Sequence, residues 1–114
     1  MNNTLYLYWN IGKIVFEKRN KYLNIIEKTS TYYTYLFGNS YRFTRENIWL
    51  MEKFYLTFPI FNKKLENITW EQYKLLLSIN NIKERYFYFY VSMFFNYDYV
   101  DTRLLIDNNY YLRI

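Results

Sequence analysis

Cysteine, histidine and alanine are all absent from the 114 residues; proline occurs once, at Pro59, and glycine twice, at Gly12 and Gly38. Without Cys or His the chain has no disulfide, no thiolate nucleophile, no imidazole base and no zinc site built on those ligands. Two glycines cannot make a Gly-rich phosphate loop. A chain without cysteine fits a reducing compartment, and a cytoplasmic location is expected. Met1-Asn2-Asn3-Thr4 shows neither the basic region nor the cleavage site of a secretory signal. The longest apolar run, Tyr86 to Phe95, is too short to span a bilayer and is full of phenols. No membrane segment, metal or cofactor is expected.

Hydrophobic residues make up 52% of the chain and aromatics 25%, the opposite of a disordered composition. A chain of this length predicts one domain, residues 1–114, with one core. Tyr, Asn, Lys and Ile are abundant, a bias of AT-rich coding rather than of function. Many of the 16 Tyr then stand where another sequence would carry Leu or Ala. Their first reading is packing, ahead of a base-stacking surface. The net charge of +5 is uneven: residues 1–64 hold ten Lys/Arg and four acids, residues 65–114 five Lys/Arg and six acids. The first half can attract phosphates or an acidic protein face, although a charge of this size also suits an ordinary solvated surface.

Helical spacing dominates the pattern. In Leu5–Arg19, Leu5, Tyr8, Trp9, Ile11, Val15 and Phe16 recur at steps of three and four. Gly12 inside that stretch points to close approach by a neighbouring helix or by Trp9. Leu23–Phe37 repeats the pattern and stops at Gly38-Asn39. Ser40 to Phe43 reads as a connector, Thr44 as an N-cap with Glu46 in the first turn, and Ile48, Met51, Tyr55 and Phe58 as the next buried stripe, ended by Pro59. Ile60–Ile68 reads as a loop with Lys63 and Lys64 exposed. Thr69-x-x-Gln72 predicts a capping box ahead of Trp70, Tyr73, Leu76 and Leu77, and Asn81-x-x-Glu84 a cap for a helix from Lys83 to about Asn96. Asp98 or Asp101 starts a last helix running through Tyr110-Tyr111. The result is an all-α bundle of five or six helices, with Tyr86–Phe95 the one stretch of strand-like composition.

Read in order, these stretches form a recognisable series. Tyr8-Trp9-x-Ile11-Gly12-Lys13 is followed by Ile26-Glu27-Lys28-Thr29-Ser30, Phe37-Gly38, Phe43-Thr44-Arg45-Glu46-Asn47-Ile48 and Met51-x-Lys53-Phe54-Tyr55-x-x-Phe58-Pro59. Ile68-Thr69-Trp70-x-x-Tyr73, Arg85-x-Phe87-Tyr88 and Ile106-Asp107-x-x-Tyr110-Tyr111-x-Arg113-Ile114 complete it. Over nearly its whole length the chain resembles the N-terminal helical domain, of unknown function, of YhcG-type proteins. Those proteins are similar to restriction endonucleases through a C-terminal PD-(D/E)xK nuclease, which is missing here: no Pro-Asp pair with a downstream Asp/Glu-x-Lys exists. The resemblance implies a helix-turn-helix-like module and DNA binding or assembly into a defence-type complex. Against the family pattern, Glu46 and Glu52 interrupt Arg45 and Lys53, and Asp98–Ile114 sets three Asp against Arg103 and Arg113. Phosphates repel those acids, which argues against groove readout by the last helix.

No catalytic residue emerges. The four Ser (Ser30, Ser40, Ser78 and Ser92) have no His to activate them, and Asp98 with Asp101 reads as capping rather than metal chemistry. A non-catalytic binding module is expected, contacting nucleic acid or a nucleoprotein complex through Arg42, Arg45, Lys53, Lys63, Lys64, Lys18, Arg19 and Lys21, with Lys13 nearby in the basic set. Arg42 and Arg45 bracket a helix start whose N–H groups also suit a phosphate, and the loop at Lys63-Lys64 is expected on the same anion-binding face. Trp49 is hard to place on a buried face and marks a candidate protein contact. Two other readings stay open. One is a mobile-element inhibitor, anti-CRISPR-like or anti-restriction, that binds a defence nuclease; the other is a degenerate fragment of a longer nuclease gene. Exposed aromatics are also compatible with a homodimer.

Overall fold

The computed structural model describes residues 4–38 and 41–113; Met1, Asn2, Asn3, Asn39, Ser40 and Ile114, and the readings that fall on them, lie outside it. Among the described residues the chain is all-α, with seven α-helices, two 3₁₀ turns and no strand. It divides into two compact units, Met1–Phe61 and Asn62–Ile114.

The first unit holds α1 (Thr4–Lys18), α2 (Ile25–Phe37), a 3₁₀ turn (Tyr41–Phe43) and α3 (Arg45–Thr57). Its core is Ile11, Val15, Phe43, Ile48, Met51 and Phe54, with Leu5, Tyr8 and Trp9 around them. Gly12 is where α1 meets α3: a Cβ there would overlap the carbonyl of Met51. The close approach expected at Gly12 is therefore made by helix backbone, not by Trp9. Trp9 instead donates its indole N–H to the Phe58 carbonyl at 2.7 Å, which anchors the chain as it leaves α3 before Pro59. Thr44 caps α3 by accepting the Asn47 N–H, with Glu46 in the first turn. The connector ahead of it is itself helical, because Phe43 is fully buried against the rings of Tyr33 and Phe37 and its carbonyl accepts the Ser30 hydroxyl.

Two readings shift in this unit. α2 begins at Ile25 rather than Leu23, and Leu23 is fully exposed. Phe16, placed on the buried stripe of α1, is exposed, with its ring 5.8 Å from that of Tyr55. Gly38, at φ +86°, ends α2 in the left-handed region that glycine enters most readily.

The second unit comprises a 3₁₀ turn (Lys63–Asn67), α4 (Trp70–Leu77), α5 (Ile82–Phe94), α6 (Tyr99–Asp107) and α7 (Tyr110–Arg113). The segment read as a loop thus contains a turn of helix, capped by Asn62 and pinned by buried Leu65. The capping box Thr69–Gln72 is formed as expected; α6 starts at Asp98, one of the two positions the sequence offered, with Asp101 completing a second capping box. Asn81 caps α5 by accepting the Glu84 N–H. Tyr73, Leu76 and Leu77 are fully buried; Trp70 is half-buried. Gln72 donates to the Tyr97 carbonyl at 2.8 Å and to the Thr102 hydroxyl at 3.1 Å, and Thr102 shares a 3.0 Å hydrogen bond with Ser92. These buried polar side chains satisfy one another, and none of the described buried side chains is left without a hydrogen-bond partner. The expected last helix is two helices: Asn108 caps α6 and Asn109, at φ 52°, turns the chain into α7. The Tyr111 N–H donates to the Tyr88 hydroxyl, which holds that short helix on α5.

Candidate functional site

The packing of α3 decides what the first unit offers to a partner. Ile48, Leu50, Met51, Glu52, Phe54 and Thr57 are buried, so the helix is enclosed around most of its circumference. The strip left open carries Arg45, Trp49 and Lys53, spaced four residues apart and hence stacked along one face. Arg45 is exposed and Trp49 is 46% exposed, and the Lys53 ammonium lies 4.4 Å from the centre of the Trp49 ring. Leu56, also exposed, continues the strip. The ridge is an aromatic ring between two cations.

Of the two acids counted against this helix in the sequence, Glu46 is exposed in its first turn and Glu52 lies off the ridge. Glu52 is 5% exposed and forms a two-point salt bridge with Arg19 at the end of α1. Its hydrogen bonds raise the Arg19 pKa further above its ordinary value, against the opposing effect of burial. Glu52 therefore takes no charge from Arg45 or Lys53, but it ties down Arg19, one of the predicted binding cations. Nothing in the sequence links the two residues, which lie 33 positions apart.

The remaining cations take different places. Arg42 spreads over the rings of Phe43, Phe37 and Tyr8 at 4.9, 5.5 and 5.7 Å and donates to the Tyr8 hydroxyl at 3.0 Å. Its guanidinium is fixed by cation–π contacts while the residue stays exposed just ahead of Arg45. Lys18 and Lys21 are exposed in the turn that closes α1, where the Lys18 carbonyl accepts the Lys21 and Tyr22 N–H groups. Lys13 lies 5.6 Å from the Trp9 ring. Lys63 and Lys64 are exposed at the head of the 3₁₀ turn of the second unit, with the Lys64 N–H on Asn62.

Catalytic groupings are scarce. Among the described residues no set of three or more His, Cys, Asp or Glu could hold a metal ion. The described serine hydroxyls have structural partners: Ser30 donates to the Phe43 carbonyl, Ser78 to the Leu75 carbonyl, and Ser92 pairs with Thr102. In α6, Arg103 and Asp107 face each other at 3.5 Å, so that helix brings no surplus positive charge.

A family model, that of the DUF1016 N-terminal domain, matches residues 1–113. The chain belongs to this family. The DUF1016 N-terminal domain is that of YhcG-type proteins, and the 114 residues contain no nuclease domain. The matched span covers the first unit and the second as far as Arg113. No curated protein and no solved structure matches the chain. No described helix is long and apolar enough to cross a membrane.

Proposed function

We propose that this DUF1016 domain is a non-catalytic binding module that contacts single-stranded nucleic acid through the open ridge of α3. The observation that carries the reading is the Arg45–Trp49–Lys53 stack: cations for phosphates on either side of a ring on which a base can stack. The open strip is narrow and centred on an aromatic ring, which suits base stacking more than base-edge readout by a helix inserted in a groove. A strand laid across the ridge needs no such insertion. Arg42, Lys18 and Lys21 add positive potential to the same unit.

Anisotropy of a labelled single-stranded oligonucleotide tests this. Trp49→Ala is expected to weaken binding about tenfold or more, since a stacked base contributes about 1–3 kcal/mol. Arg45→Ala with Lys53→Ala is expected to flatten the dependence of log affinity on log salt by roughly 1.4, two phosphates' worth for a single strand. Affinity and salt slope unchanged in both variants would overturn the reading.

A protein partner is the second reading, carried by Leu56, whose exposed apolar side chain extends the ridge about two turns beyond Trp49. An inhibitor acting on a defence nuclease would use such a Trp and Arg pair as its anchor. Co-purification after nuclease digestion separates the two: a stoichiometric protein that Trp49→Ala releases favours the inhibitor.

A further inference from the structure

We propose that the domain self-associates through the outer face of α2, two copies packing antiparallel about a two-fold axis at Thr31. This does not rest on the nucleic-acid reading, which concerns a different helix. α2 fully buries only Ile25 and Thr29. Its other side, formed by Asn24, Glu27, Lys28, Thr31, Tyr32 and Tyr35, lines an open groove of about 520 Å³. Tyr35 is 85% exposed and Tyr32 56%. A face with one acid, one base and two large rings carries no net charge, so it suits neither a polyanion nor a strongly acidic protein.

It does suit itself. Glu27 and Tyr35 lie equally far on either side of Thr31 along the helix. An antiparallel pair centred on Thr31 therefore sets each Glu27 against the Tyr35 of the second copy, where the phenol donates to the carboxylate twice by symmetry. Thr31, small and exposed, sits at the crossing, where helix axes approach to about 8–10 Å. The Lys28 ammonium lies 4.9 Å from the Tyr22 ring of its own chain, so its charge already has a partner within that chain. At roughly 200 Å² for a whole ring, Tyr35 and Tyr32 alone offer about 280 Å² per copy. With the stems of Glu27, Lys28 and Thr31 added, the paired faces reach the low end of the size range, that of a weak interface.

Because the chain has no cysteine, Thr31→Cys places a single thiol beside the axis. In nuclease-treated protein at high salt, sedimentation is expected to show a dimer forming through the micromolar range. Thr31→Cys is expected to cross-link to a covalent dimer much faster than Asn80→Cys, an exposed control in the second unit. Thr31→Arg, which sets like charges across the axis, is expected to be monomeric with an unchanged far-ultraviolet helical spectrum. The proposal falls if the unsubstituted chain stays monomeric, if Thr31→Cys links no faster than the control, or if folded Thr31→Arg still dimerises. In each of those outcomes the α2 face belongs to a different partner or to none.

Discussion

Gly12 has no room for a methyl group. The Met51 carbonyl occupies the place of a Cβ, and because it is backbone within α3 it cannot rotate away as a side chain would. Gly12→Ala gains about 1 kcal/mol of helix propensity yet must push α1 from α3, and overpacking of this kind costs typically 1–3 kcal/mol or more. We expect net destabilisation of about 2 kcal/mol, read as a lower urea midpoint with an unchanged slope; a higher midpoint would show that the two helices can part freely. Arg19 and Glu52 act at the same scale. A carboxylate that is almost wholly buried needs its cation, so this arginine serves the fold before any ligand. Neither relation could be read from local sequence: Gly12 announced a close approach but not its partner, and Arg19 looked like any other surface cation.

At the scale of elements, side-chain oxygens set the helix starts. Thr44, Thr69, Asn81 and Asp98 each accept the backbone N–H three residues on; the first three positions were legible because capping depends on local spacing, and the fourth was narrowed to Asp98 or Asp101. Thr69→Ala and Asp98→Ala are each expected to cost about 1 kcal/mol, with Thr69→Ser close to neutral, as measured by thermal unfolding. Losses below a few tenths of a kcal/mol would mean that the caps are redundant with packing. Helix ends were less legible. Asn108-Asn109 divides α6 from α7, a break that helical spacing alone did not mark. The strand-like Tyr86–Phe95 is helical because Tyr88, Phe89 and Ser92 fall at helical spacing on the side that packs on Thr102 and Tyr73, which overrides β propensity.

For the whole molecule, charge and phenols govern the response to solvent. The first unit carries eight Lys/Arg against four Glu, and the second seven against six acids, so the field that attracts anions belongs to the first unit. Alkaline pH acts on the buried phenol of Tyr73. Tyr73 is fully buried with its hydroxyl on the Leu65 carbonyl, and burial pushes its pKa far above the ordinary 10.0. In the unfolded chain that phenol ionises near 10 while the folded one keeps its proton, so stability is retained below about pH 10 and falls as pH rises beyond it. That one proton steepens the fall by up to about 1.4 kcal/mol per pH unit. Tyr73→Phe is expected to make the loss between about pH 10 and 12 shallower by that amount; an unchanged alkaline slope would mean that the phenol is reached by water in the native state.

The sequence by itself determined the helical class, the family, the caps, the interruption at Gly12 and the concentration of positive charge in the first half. Each of these depends on composition or on spacing within a few residues. Tertiary structure alone decided which charges remain available to a partner. Glu52, counted in the sequence as a flaw in a basic helix, turned inward to Arg19 because α1 and α3 meet there, while Glu46, counted with it, stays exposed in the first turn beside the Arg45–Trp49–Lys53 ridge. The outer face of α2 became visible in the same way, since only packing shows which side of an amphipathic helix is left open. Local patterns specify elements, whereas exposure and pairing depend on residues far apart in the chain that fold into contact.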